Sequence, residues 1–240
     1  TADAIRAMAD QLHVVSAERI AQELHKMLVD RHRRRAIELC DEVGLLRVVL
    51  PELAGGASFD IPPSTFDISL CMLALLNMPS FPLAFAALLH ELSVETVRDI
   101  GRRLRLSNEE IDRTAWLVAL QDALRSASKM TLSQVKRLLS QPHRDELLAL
   151  LRVKLLAEET DLHPVLFCEE FLAKTPPEVL NPPPLISGND LIRQGLKPGP
   201  TFKLLLEEIR DAQLNGEITT AAAALALARR LQESPGADTP

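Results

Sequence analysis

The stretch Ser16-Ala17-Glu18-Arg19-Ile20-Ala21-Gln22-Glu23-Leu24-His25-Lys26-Met27-Leu28 decides the fold class. Ile20, Leu24, Met27 and Leu28 recur at helical spacing and form one apolar stripe, with Glu18, Arg19, Gln22, Glu23 and Lys26 off it. That is an amphipathic helix, and Ser16 is placed to cap it, although Arg19 at the third position rules out a full capping box. The same grammar repeats outward. A second helix is expected over 34–43 with Gly44 as its stop, and the apolar run 45–50 ends at Pro51. Further helical segments fall at 66–76, 82–92, 94–104, 108–127, 132–140, 142–159 and 162–173. Ser107 with Glu110 supplies a capping box, and Ser93 and Thr131 are further caps. Beyond them a short helix starts at Ser187 to Asp190 and closes at Gly195, another spans 201–214 up to Asn215-Gly216, and a last one runs from 219 or 220 to 231. No alternating apolar pattern longer than about four residues competes with this period. The chain is therefore expected to be all-α, a multi-helix elongated array.

Composition narrows the function classes. The 240 residues are 47% hydrophobic and 25% charged, which suits a water-soluble protein with a real core. Aromatics are scarce, with seven Phe, one Trp and no Tyr, so stacking bases on aromatic platforms is excluded as a main binding mode. The formal charge of −6 means that any contact with nucleic acid must come from local basic patches. Cys40, Cys71 and Cys168 lie far apart in apolar surroundings, as expected of buried reduced thiols in a cytoplasmic protein. The longest apolar run, 81–89, is too short to span a membrane, which takes about 20 residues. The chain opens at Thr1 without Met, as a fragment or a processed form does.

Two punctuated stretches mark boundaries. Residues 54–63, with Gly55, Gly56, Pro62 and Pro63, read as a linker. Pro176, Pro177 and Pro182 to Pro184 hold an extended arm.

The motifs of several chemistries are missing. The sequence contains neither GxSxG nor a phosphate-cradling GxxxxGK[ST] or GxGxxG loop, and no Cys has a neighbouring His that nominates it as a nucleophile. His90-Glu91 raises a metal question, because adjacent hard ligands hold a divalent ion with help from other helices. No second His lies in 66–76, however, so a buried histidine bonded to backbone or to an acid is expected there, and no metal site. Basic patches carry the stronger signal. Arg31, Arg33, Arg34 and Arg35 form one run and Arg98, Arg102, Arg103 and Arg105 another; Lys129, Lys136, Arg137 and Arg144 surround a helix pair; Arg193, Lys197 and Lys203 lie in the acid-free stretch 191–206. Such runs are commonly solvated helix faces, but four of them on an acidic protein point to phosphate contact. In Gly195-Leu196-Lys197-Pro198-Gly199-Pro200 a turn brings the N–H groups of the following helix, with Lys197 and Lys203 beside them, to where an anion can approach; a tight corner needing Gly and Pro for geometry alone reads the same residues as well.

Three segments resemble a known family. Val14 to Leu24 with its SxERI element, followed by Arg35-Ala36-Ile37-Glu38-Leu39 and 45–53, is similar to the neck of bacterial class II CCA-adding tRNA nucleotidyltransferases and poly(A) polymerases. Asn181-Pro182-Pro183-Pro184-Leu185-Ile186-Ser187-Gly188-Asn189-Asp190-Leu191, the GLKPGP turn at 195–200 and Asp211-Ala212-Gln213-Leu214-Asn215-Gly216-Glu217-Ile218 look like that family's tail. The resemblance implies a neck at 1–60, a degenerate HD-type helical body at 61–175 in which Glu91 replaces the usual Asp, and a helical tail at 176–240. It also implies a catalytic head, with a DxD pair and an EDxxR segment, that this sequence lacks; Mg²⁺ and ATP or CTP are expected for that head, and no cofactor or catalytic residue for this chain. The expected function is the RNA-binding portion of a nucleotidyltransferase or poly(A) polymerase acting on RNA 3′ ends. Its partner is RNA, first of all the tRNA acceptor arm, gripped by shape and phosphate through Lys136, Arg137, Arg193, Lys197, Lys203 and Arg210. The alternative is a stand-alone helical protein-interaction module with a decayed HD-type body.

Overall fold

The computed structural model describes residues 2–53, 63–195 and 200–233. The linker at 54–62, most of the GLKPGP turn with Lys197, and the Ser/Pro/Gly terminus from 234 onward lie outside these residues. Every regular element among the described residues is helical, so the fold is all-α. In chain order the helices are α1 (Ala2–Met8), α2 (Ala17–Val29), α3 (Arg33–Glu42), α4 (Leu46–Val49), α5 (Pro63–Leu75), α6 (Phe81–Leu88), α7 (Val94–Arg103), α8 (Asn108–Leu120), α9 (Leu132–Leu139), α10 (Arg144–Ala157), α11 (His163–Lys174), α12 (Pro177–Leu180), α13 (Gly188–Arg193), α14 (Pro200–Asn215) and α15 (Ala221–Glu233). Short 3-10 turns at Ala9–Val14, Pro51–Leu53 and Ala123–Lys129 join some of them.

Two compact units emerge: 1–125 with 145–165, and 126–144 with 166–240. The first is built around α6, whose eight residues are all buried, as a helix apolar on every side must be. Ser80 starts it by accepting the Leu83 N–H at 3.3 Å. Leu24 and Leu28 of α2, Ile37 of α3 and Met72 and Leu73 of α5 are buried in the same unit, and His25 stacks on Phe81 at 4.4 Å between ring centroids. The capping box at Ser107 and Glu110 forms as its spacing predicts, and α8 then packs on α7 across Gly101. A Cβ on Gly101 meets Ile111 Cγ1 at 2.6 Å, so glycine is what allows the close approach.

The second unit has a smaller core of Ile186, Leu191, Ile209, Ala224 and Ala228, with Phe202 and Leu206 packed against it. Thr131 and Gln134 form a capping box that opens α9, and α9 lies against α14.

Four local features differ from the expectations. Residues 2–14 carry a helix and a 3-10 turn where the apolar pattern predicts neither. The helix expected over 108–127 ends at Leu120, and the following turn contains Ser126 at φ −104°, ψ 21°, outside helical geometry. The proline cluster is not extended throughout, since Pro177 sits at the first position of the short α12, where its missing N–H costs nothing. Cys168 is buried, but Cys40 and Cys71 are only partly so.

Candidate nucleic-acid interface

Much of the basic character of the first unit is already used internally. Arg33 is 4% exposed and sends its guanidinium to the carbonyls of Leu28 (2.9 Å), Leu76 (2.9 Å) and Leu73 (3.3 Å), closing the C-terminal ends of α2 and α5. Arg34 pairs with Glu38 at 2.7 Å and Arg35 with Glu42 at 2.6 Å. In the second run, Arg98 meets Asp112, Arg102 meets Asp99 at 2.7 Å, Arg105 meets Glu18 at 3.4 Å, and Arg103 is held by the buried Glu52 and the Val49 carbonyl. These two runs are largely compensated by acids of the same unit.

The second unit is different. A pocket of about 300 Å³ is lined by the cations Arg137, Lys203 and Arg210 together with the apolar Leu185, Ile186 and Leu206. The packing of α9 on α14 brings together residues far apart in sequence. Arg137 Nε donates to Asp211 at 2.7 Å and its Nη2 to the Glu207 carbonyl at 3.3 Å. Lys203 forms a loose pair with Glu207 at 3.8 Å. Among the described residues Arg210 makes no ion pair: Nη1 donates to Gln213 Oε1 at 2.9 Å and Nη2 to Asn181 Oδ1 at 2.6 Å, both neutral amide oxygens. Burial, and then the like charge of Arg137, hold the Arg210 guanidinium below its ordinary range, with Asp211 pulling the other way. Lys136 is 7% exposed and donates to the Leu214 carbonyl at 2.9 Å; burial, with the charge of Arg210, lowers its ammonium too. Lys136 is thus a tether between α9 and α14 that adds field from behind the pocket rather than an accessible contact.

Of the six expected contacts, Arg137, Lys203 and Arg210 share this pocket and Lys136 stands behind it. Arg193 is exposed on α13 and pairs with Asp190 at 3.1 Å, and Lys197 lies outside the described residues. Asn181 and Gln213 carry no signal of their own in the sequence beyond their place in the two tail segments. Gln213 accepts the Leu185 N–H at 3.3 Å and donates to the Pro183 carbonyl at 2.8 Å, so those segments, 181–191 and 211–218, meet here and seat Arg210.

His90 is locked into the core of the first unit. Its Nδ1 lies 3.2 Å from Ser69 Oγ and its Nε2 3.3 Å from Glu91, while its own carbonyl accepts Gln121 Nε2 at 2.5 Å. The neighbouring cation is a side chain: Lys154 Nζ, in a residue 4% exposed, donates to Asp122 at 2.9 Å and Gln121 at 3.0 Å. No set of three or more His, Cys, Asp or Glu residues among the described ones is arranged to hold a metal. Burial pushes the Cys168 thiol up to about 11 and raises Cys40 as well, which leaves neither as a ready nucleophile. A second surface feature, an apolar groove of about 520 Å³ with Leu12, Val15, Ile20 and Met27 in its wall, lies within 12–49.

Residues 1–55 match a family model described as "Probable RNA and SrmB- binding site of polymerase A". The chain is 26% identical to the A-adding tRNA nucleotidyltransferase of Deinococcus radiodurans over 271 aligned residues, covering 95% of this chain and 62% of that protein. It is also 33% identical over 118 residues to the multifunctional CCA proteins of Neisseria meningitidis and Neisseria gonorrhoeae, covering 37% of this chain and 28% of each relative. The chain therefore spans under two thirds of the length of these relatives. The family match at 1–55 and the similarity over 95% of the chain support a region related to the CCA-adding enzymes and poly(A) polymerases.

Proposed function

We propose that this chain is the RNA-binding helical portion of a nucleotidyltransferase that extends RNA 3′ ends, tRNA being the substrate and the acceptor arm the part held. The observation that carries this reading is Arg210, a part-buried guanidinium with no carboxylate partner among the described residues, in a pocket shared with Arg137 and Lys203. Cations with spare hydrogen bonds are what phosphates select, and such contacts position a nucleic acid without reading its sequence. Scarce aromatics fit the same mode, since an A-form duplex is recognised by shape, 2′-hydroxyls and phosphates rather than by stacking. The division into neck (1–60), body (61–175) and tail (176–240) belongs to this proposal, with the tail and α9 supplying Arg137, Arg193, Lys197, Lys203 and Arg210. Nucleotide chemistry with Mg²⁺ and ATP or CTP is assigned to a head domain outside this sequence, and no residue of this chain is given a part in it. The setting proposed is the cytoplasm.

Filter retention of tRNA tests this. The chain should retain tRNA, and Lys197→Glu with Lys203→Glu should weaken retention several-fold at fixed salt; unchanged retention sinks the proposal. The apolar groove favours a second reading, a helical module that binds a protein partner. Salt-insensitive association with a purified protein, together with no tRNA retention, is the result that selects it.

A further inference from the structure

The tail pocket has more positive charge than its own acids balance. Among the described residues, Lys136, Arg137, Lys203 and Arg210 are opposed by Asp211 and Glu207, which leaves two charges uncompensated. Of the five guanidinium N–H donors of Arg210, two are engaged there, on Gln213 and Asn181. Leu185, Ile186, Leu206 and Ile209 give the same pocket an apolar wall, with Ser187 and Gln213 as its neutral polar lining. Such a wall keeps the local dielectric low and strengthens attraction to the cations. An internal phosphodiester carries one negative charge and must bring a nucleotide in on both sides. A terminal phosphomonoester carries close to two at neutral pH and brings a nucleotide on one side only, with an apolar face for the wall.

We propose that this pocket is a seat for a phosphomonoester borne on a nucleoside, its expected source being the phosphorylated 5′ end of an RNA strand. Arg210 is the central donor, Arg137 and Lys203 flank it, and Asp211 and Glu207 hold those two cations until the phosphate takes their place. The source rests on the RNA-binding reading above, while the phosphomonoester chemistry does not.

The experiment compares one RNA duplex in 5′-phosphate and 5′-hydroxyl forms by fluorescence anisotropy, with the full chain and with Arg210→Gln. The phosphorylated duplex should bind about tenfold more tightly, close to the lower worth of a single charge-assisted hydrogen bond, and Arg210→Gln should erase that difference. Asp211→Asn, a substitution of a half-exposed side chain that leaves the core intact, should widen it. Excess adenosine monophosphate separates the sources. If it saturates the chain in an Arg210-dependent way while the two duplexes bind alike, the seat belongs to a free nucleotide. If both duplexes bind equally and the nucleotide does not bind, the phosphomonoester seat is overturned although RNA binding stands. A preference that survives in both Arg210→Gln and Asp211→Asn unchanged overturns it as well. Failure to bind either duplex overturns the RNA-binding reading itself, and the nucleotide arm then decides the seat.

Discussion

Arg33→Met removes a guanidinium that holds four carbonyls, those of Leu28, Val29, Leu73 and Leu76, at the ends of two helices while keeping most of the side chain's apolar length. Arg33 Nε reaches Leu28 at 2.9 Å, and Nη1 reaches Leu76 at 2.9 Å and Leu73 at 3.3 Å, in a residue 4% exposed. Burial lowers the guanidinium, but its ordinary value is so high that it stays charged at any working pH. Each hydrogen bond to a charged donor is worth about 1.5–3 kcal/mol, offset by the desolvation of the cation; deleting one side of a buried charged arrangement costs about 3–5 kcal/mol in practice. The orphaned carbonyls lie in a site that a thioether cannot satisfy, so a loss of about 3–5 kcal/mol is expected. Urea unfolding followed by circular dichroism measures it, and Arg34→Met is the internal control. Arg34 is exposed and pairs with Glu38 across one helical turn, an interaction worth about 0.3–0.5 kcal/mol. Equal stability of the two variants refutes the assignment of Arg33 to structure, and refutes it most clearly if Arg33→Met instead weakens RNA binding.

Two further outcomes follow from the first unit. Burial keeps the His90 imidazole below the usual histidine range, with Lys154 acting in the same direction and Glu91 against it. The unfolded chain therefore binds the proton more readily, and stability is full above about pH 7 and falls as pH drops below about 6.5, by at most about 1.4 kcal/mol per unit. His90→Asn should flatten that limb of a stability–pH curve, and an unchanged slope between about pH 6.5 and 5 counts against it. Gly101→Ala places a methyl 2.6 Å from Ile111 Cγ1, and overpacking of this kind costs about 1–3 kcal/mol. A thermal melt showing Gly101→Ala as stable as the parent contradicts the close α7–α8 approach.

How much of this was legible in the sequence depends on the range of the forces involved. The apolar stripe from Ile20 to Leu28, the capping boxes at Ser107 and Thr131 and the stop at Gly44 are local signals, and helices begin and end beside them. Residues 2–8 form a helix with no buried residue, so no apolar stripe announces it. The arginine run could not be sorted from sequence, because what separates Arg33 from Arg34 is a pair of carbonyls 40 and 43 residues away. The pocket follows the same rule. Lys203, Glu207 and Arg210 share one helix, where Lys203 and Glu207 pair at i,i+4, but the addition of Arg137 and its pairing with Asp211 depend on α9 packing against α14.

The salt dependence of RNA affinity tests the central claim most directly, because each phosphate bound by a Lys or Arg releases counterions. The logarithm of the association constant should fall linearly with the logarithm of salt concentration. Arg137→Gln with Lys203→Gln should make that slope shallower by about two, near one unit for each cation that no longer meets a phosphate. A slope identical in the parent and the double variant, or an affinity that does not change with salt, contradicts phosphate recognition at the tail pocket.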